Sequence, residues 1–116
     1  MNRKQLLGGF GECVACRYLV GQGLVLIDRN WRNRSGELDV IARDGADLVF
    51  VEVKTRSSVR FGDPVEALVP TKVRRIRRLA RMWLAANEVH YKHVRFDVIS
   101  VLVGRTTSLR HLRGAF

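Results

Sequence analysis

Asp39, Glu52 and Lys54 are the residues of this sequence whose types and spacing could do chemistry together. They lie in GELDVIARDGADLVFVEVKTR, where two strand-like runs, residues 37–43 and 47–55, are joined around Asp44-Gly45, a dipeptide that strongly favours a tight hairpin turn. Side chains alternate along a strand, so Glu37 shares a face with Asp39, and Phe50 shares one with Glu52 and Lys54. A two-residue turn at Asp44-Gly45 sets Glu37 opposite Glu52, whereas a four-residue loop sets Asp39 opposite Glu52. Either even length gathers the acids and the lysine, and leaves Leu38, Val40, Val49, Val51 and Val53 on the other face, which must be a core face.

Neighbouring carboxylates on a sheet repel one another, so this grouping gains nothing without a cation. Mg²⁺ or Mn²⁺ suits it. Such ions are hard, take oxygen ligands from one or two carboxylates plus waters, and leave room for a phosphate oxygen. Asp39 and Glu52 are the expected ligands, with the main-chain carbonyl of Val53 as a further oxygen. Lys54 would then face the scissile phosphate, where it can orient or help deprotonate a nucleophile and offset developing charge. The plain structural alternative is a lysine paired with Glu52 or Glu37 on a solvated face.

The elements that must position this hairpin follow from periodicity. Residues 5–20 carry Leu6, Phe10, Cys13, Val14 and Tyr18 at helical spacing and end at Gly21 and Gly23, predicting a first helix with Glu12 among its apolar residues. Residues 24–31 read as a strand, followed by a polar turn at 32–36. Residues 57–70 are loop-like, with a short helical turn at 65–68. Thr71 is the expected N-cap of a second helix reaching about Asn87, with Val73, Ile76, Leu79, Ala80, Trp83 and Leu84 as its buried stripe. Residues 94–103 form a last long strand, and 109–116 are a short apolar piece of unassigned type. The order α-β-β-β-α-β predicts an α/β fold, a mixed sheet flanked by helices, in a single domain spanning residues 1–116.

Charge narrows the partner. The chain holds 21 Lys+Arg against 11 Asp+Glu, a net +10, and such an excess on a small domain attracts polyanions, nucleic acid first. The second helix offers Lys72, Arg75 and Arg78, and Arg32, Arg34 and Arg56 add cations beside the hairpin; arginine tracks a phosphate backbone rather than reading bases. For at least half of the helix cations a solvated face is an adequate account. Trp31, between arginines, could stack on a base, though core packing explains it as well. No apolar run is long enough to cross a membrane and no secretory signal pattern is present, so the expected location is the cytoplasm and no membrane partner is expected. Cys13 and Cys16 form a C-x-x-C inside a helix, and His90 and His93 lie at least 74 residues beyond Cys16, so two buried, reduced thiols are expected rather than a zinc site.

The D-x(12)-E-x-K arrangement of Asp39, Glu52 and Lys54 resembles the PD-(D/E)xK nuclease superfamily, with Leu38 where the name has proline. The whole chain, from GFGECVACRYL through RNWR, the hairpin, FGDPVEAL with Lys72, and RFDVISV to LRHLRGAF, is similar to the YraN-like family of endonucleases, related to archaeal Holliday junction resolvases. That resemblance implies a restriction-endonuclease-like fold, Asp39 and Glu52 as metal ligands and Lys54 as the catalytic lysine. It also gives Glu12 a role, because the related resolvases carry a first-helix glutamate that reaches the metal. An acid on an apolar helix wants a partner in any case. Glu37 matches the family's GE-x-D segment and is a secondary candidate. The implied activity is metal-dependent hydrolysis of structured or branched DNA, and the resemblance alone is compatible with a homodimer. The competing readings are a non-catalytic nucleic-acid-binding module on the same fold and an adaptor that docks a protein on the basic helix.

Overall fold

The computed structural model describes residues 1–57 and 68–116. Its elements are α1 (Arg3–Gly21), β1 (Val25–Asn33), β2 (Gly36–Asp44), β3 (Asp47–Arg56), α2 (Pro70–Ala86), β4 (His93–Val103) and β5 (Thr107–Leu112). The strands form one sheet in the order β1-β2-β3-β4-β5. All neighbours are antiparallel except β3 and β4, which run parallel and need the α2 crossover between them. The mixed α/β sheet flanked by helices is thus as expected, and β5 is an addition to the expected order. Its alternation is short and polar, and its pairing is dictated by β4, whose edge it covers from Val98↔Leu112 to Val103↔Thr107.

Both faces of the sheet are core. Ala15, Cys16 and Leu19 of α1 pack with Val40, Val49, Val51, Val53, Ile99 and Val101, while Ile76, Leu79 and Trp83 of α2 pack with Leu38, Ile41, Leu48, Phe50 and Phe96. By alternation, Glu52 and Lys54 share the α2 side with Phe50. One expectation about β2 fails here: Leu38 joins the α2 cluster, whereas Val40 and Ala42 join the α1 cluster. The strand's alternation therefore breaks between Leu38 and Val40, at Asp39.

The caps explain the helix boundaries. Asn2 closes a capping box with Gln5, its Oδ1 accepting from Gln5 N at 2.8 Å while Gln5 Oε1 accepts from Asn2 N at 2.9 Å. At α2 the expected cap, Thr71, is displaced: Val69 is the N-cap, without a side-chain hydrogen bond, and Pro70 is the first helical residue. Proline presets φ and has no N–H to leave unsatisfied, so it starts the helix before Thr71 can cap it. The helical turn expected at 65–68 falls almost wholly outside the described residues. Among the described residues no helix is long and apolar enough to cross a membrane.

The thiols are free, but only Cys16 is buried; Cys13 is exposed. Apolar residues encircle α1, so periodicity does not reveal which side turns inward. Trp31 is partly buried against the α2 cluster, and Trp83 is buried with its Nε1 donating to Asp28 Oδ2 at 2.9 Å.

A buried polar knot fastens the C-terminal hairpin. Asp97, fully buried, accepts from Arg95 Nε at 2.9 Å, Arg95 Nη2 at 3.1 Å, His111 Nε2 at 2.7 Å and Gly114 N at 3.0 Å. His111 Nδ1 and the Tyr18 hydroxyl share a further bond of 3.0 Å, tying α1 to β5. Burial pushes the Asp97 carboxyl up, but the Arg95 guanidinium, the Gly114 N–H and His111 outweigh it and hold the group below the usual carboxylate range.

Candidate active site

The hairpin turn settles the register. Asp44 pairs with Asp47 across Gly45 and Ala46, with Gly45 at φ 60° in the first central position, where glycine carries no steric penalty. The ladder runs to Val40↔Val51, and one further step of that register sets Asp39 opposite Glu52, the pairing expected of a four-residue loop but reached by a two-residue turn at Gly45-Ala46, one position later than the expected Asp44-Gly45 turn. At that step the side chain of Asp39 intervenes, its Oδ2 accepting from Val53 N at 2.8 Å. The regular ladder stops where this acid takes over a backbone donor, so the end of the β2–β3 pairing is itself the place where charge collects.

Three carboxylates meet there. One oxygen from each of Glu12, Glu37 and Asp39 lies within 4.8 Å of the other two, and all three residues are half-buried. Glu12 arrives from α1 because the helix sits tight on β3: Gly11 packs so closely on Thr55 that a Cβ at that position would come 2.6 Å from Thr55 Cβ. Only glycine permits the approach. Glu52 stands apart from this trio and faces two cations, Lys54 Nζ at 3.3 Å and Lys72 Nζ at 4.0 Å.

The electrostatics record the crowding. Burial, then the neighbouring Glu52, push the Asp39 carboxyl up to about 7, against the pull of the Val53 N–H; Glu12 raises it further. Burial and Glu37 also push Glu12 up, opposed by a hydrogen bond from Asn30. Burial acts to lower Lys54 but is outweighed by a hydrogen bond with Lys72 and by Glu52 and Asp39, so its ammonium is favoured. Burial and Lys54 bring Lys72 down to about 8. At about 8, Lys72 is still largely an ammonium at neutral pH, and Lys54 is more firmly so. Lys54 is accordingly suited to offsetting charge rather than to removing a proton.

Of the residues singled out by sequence, Asp39, Glu12 and Glu37 come together; Glu52 and Lys54 pair with each other and are not among the three, though the charge of each is felt at Asp39. Lys72 turns inward to Glu52 instead of outward. Arg75 and Arg78 line an open groove of about 410 Å³ along α2 with Thr71, Arg74, Arg77 and Arg81. Arg32 is exposed and pairs with Glu37 through Nε at 3.5 Å; Arg34 is exposed and Arg56 half-buried. His93 pairs with Asp47 at 3.3 Å and His90 is exposed, so neither histidine joins a thiol. Asn30 is the residue that sequence reasoning missed. With its amide nitrogen facing the acids, it donates to Glu37 Oε1 at 2.9 Å and Glu12 Oε2 at 3.0 Å. Its only sequence signal is an asparagine inside a strand.

The donor set fits a hard divalent cation: every donor is a carboxylate oxygen, and the burial and neighbouring Glu52 charge that push the Asp39 carboxyl up to about 7 are what a cation would offset.

The sequence model of the uncharacterised protein family UPF0102 matches residues 11–101. The chain is 53% identical over 116 residues to a UPF0102 protein of Beutenbergia cavernae, covering 98% of each chain. It is 56% identical over 120 residues to the UPF0102 protein FRAAL5785 of Frankia alni, covering 100% of this chain and 98% of that one. A UPF0102 protein of Mycolicibacterium vanbaalenii is 52% identical over 110 residues, with 93% and 91% covered.

Proposed function

We propose that this chain, which belongs to the uncharacterised protein family UPF0102, is a metal-dependent endonuclease of the PD-(D/E)xK type acting on structured or branched DNA. The observation that carries the reading is the convergence of Glu12, Glu37 and Asp39 at the end of the β2–β3 ladder, within electrostatic reach of a glutamate that holds two lysines. Asp39, Glu12 and Glu37, with Glu52 and the Val53 carbonyl as further oxygens, would hold Mg²⁺ or Mn²⁺. Such an ion supplies Lewis acidity toward a phosphate oxygen and acidifies water.

The chain's own residues do the rest. Lys54, kept cationic by Glu52, offsets charge that grows on the phosphate. Lys72, at the start of α2, brings a second nitrogen to the same glutamate, and the arginine groove begins one residue before it. A phosphate backbone lying along α2 would thereby be led to Lys54. Contacts of this kind grip phosphates and read no bases, which suits recognition by shape. Under this reading the protein works in the cytoplasm, where nucleic acid is at hand.

The test is incubation of purified protein with Mg²⁺ or Mn²⁺ and a panel of junction, flap, single-stranded and duplex DNAs. Metal-dependent cleavage by the wild type that is abolished in Glu52→Ala and Asp39→Asn supports the reading. Binding without cleavage, unchanged by metal or by Asp39→Asn, makes the chain a non-catalytic DNA-binding module instead.

A further inference from the structure

Asn30 is the one residue of β1 with a positive φ, at 51°, and among the described non-glycine residues it is alone in this. Its neighbours Arg29 and Trp31 pair with Val40 and Leu38, so Asn30 stands across from Asp39, where β2 breaks its alternation. Backbone held in that region by a non-glycine residue calls for a reason at the side chain. Here the side chain reaches the two acids that flank Asp39.

An amide facing only carboxylate oxygens must present its nitrogen, which carries two N–H groups, one for each acid. Asn30 takes Oε2 of Glu12 and Oε1 of Glu37, the latter also the oxygen nearest Arg32. Each acid keeps its second oxygen. Two like charges brought to this separation by different elements would otherwise swing apart into solvent.

We infer that Asn30 is a positioning residue for the metal centre: its amide clamps Glu12 of α1 to Glu37 of β2 and leaves one oxygen of each free for the ion beside Asp39. This rests on the metal-dependent reading above and adds a residue to it. Outer-shell hydrogen bonds that orient ligands commonly govern metal affinity by about tenfold to a hundredfold. The rival account is that Asn30 merely tolerates a left-handed backbone, a task glycine performs at least as well.

Two variants separate these. Asn30→Gly keeps the backbone and removes the amide; Asn30→Asp keeps the size and the tolerance of positive φ but exchanges the donors for acceptors. Mn²⁺ titrations followed by calorimetry should show binding about tenfold or more weaker in Asn30→Gly than in the wild type. In EDTA, Asn30→Asp should melt several degrees below the wild type, because a third acid then faces the pair. Wild-type Mn²⁺ affinity in Asn30→Gly, or an unchanged metal-free melting temperature in Asn30→Asp, overturns the inference. No Mn²⁺ binding by the wild type overturns the metal reading itself, a different result.

Discussion

Asp39→Asn should behave in opposite ways with and without metal, and the structure sets the size of the effect. In the folded protein the Asp39 carboxyl is pushed up to about 7 by burial and by Glu52, from an ordinary value of 3.8. A raised acid contributes stability that is fully present below its unfolded pKa and is lost as pH rises through the folded one. The loss therefore runs between about pH 4 and about pH 7, and at ~1.4 kcal/mol per pH unit its ceiling is about 4 kcal/mol. Relaxation of the surroundings reduces that, and half of it, about 2 kcal/mol, corresponds to roughly 8 °C in melting temperature. Asparagine keeps a carbonyl for the Val53 N–H and cannot ionise, so the contribution of position 39 is flat across this window, while the other acids titrate alike in both proteins. The assay is urea denaturation of both proteins in EDTA at about pH 4 and about pH 8. The variant should gain on the wild type between the two pH values, and Mn²⁺ at pH 8 should restore the wild type but not the variant. If the stability difference is the same at both pH values, Asp39 is not the strained acid described here.

Three further outcomes follow from other parts of the molecule. Gly11→Ala drives a methyl into Thr55, so α1 must shift; a stability loss of about 1–3 kcal/mol and weaker Mn²⁺ binding through Glu12 are expected, read by denaturation and calorimetry. Asp97→Asn neutralises a fully buried carboxylate and weakens its bonds to Arg95 and His111, while Arg95 keeps Asp44 at 3.0 Å; it should cost about 1–3 kcal/mol in urea denaturation at neutral pH. Because Asp97 is held below the usual range, that stability is present above the unfolded carboxylate pKa and fades on acidification, so wild type and variant should converge at low pH. Arg75→Gln with Arg78→Gln should lower affinity for any DNA and flatten its dependence on salt by about one unit of slope for each phosphate that an arginine no longer neutralises, measured by fluorescence anisotropy.

The hairpin was legible because alternation and an Asp-Gly turn signal are local properties of the chain. Register was not: both even loops satisfied the pattern, and the Asp44↔Asp47 pairing shows a two-residue turn at Gly45-Ala46 that has the register of the longer one. Asp97 hid inside the apolar run FDVISV, since partners that make a buried acid tolerable lie on β4 itself and on a terminal strand too short to announce itself. The exposure of Cys13 was illegible for a related reason, the absence of a single apolar stripe on α1. The acids of the candidate site present the more general case. Sequence put Glu37 and Asp39 on one face, and the resemblance brought Glu12 toward the metal, but the geometry by which the three meet was not legible, because it depends on a fault in the sheet. Asp39 binds a backbone N–H, Asn30 turns left-handed across from it, and Leu38 changes sides. A regular ladder would satisfy the backbone donors with carbonyls and keep the alternation intact, and the carboxylates would then have no common pocket. The irregularity that defeats periodicity as a guide is thus the same feature that gathers the charge, and changes that regularise the sheet there should improve stability without metal while weakening the affinity for it.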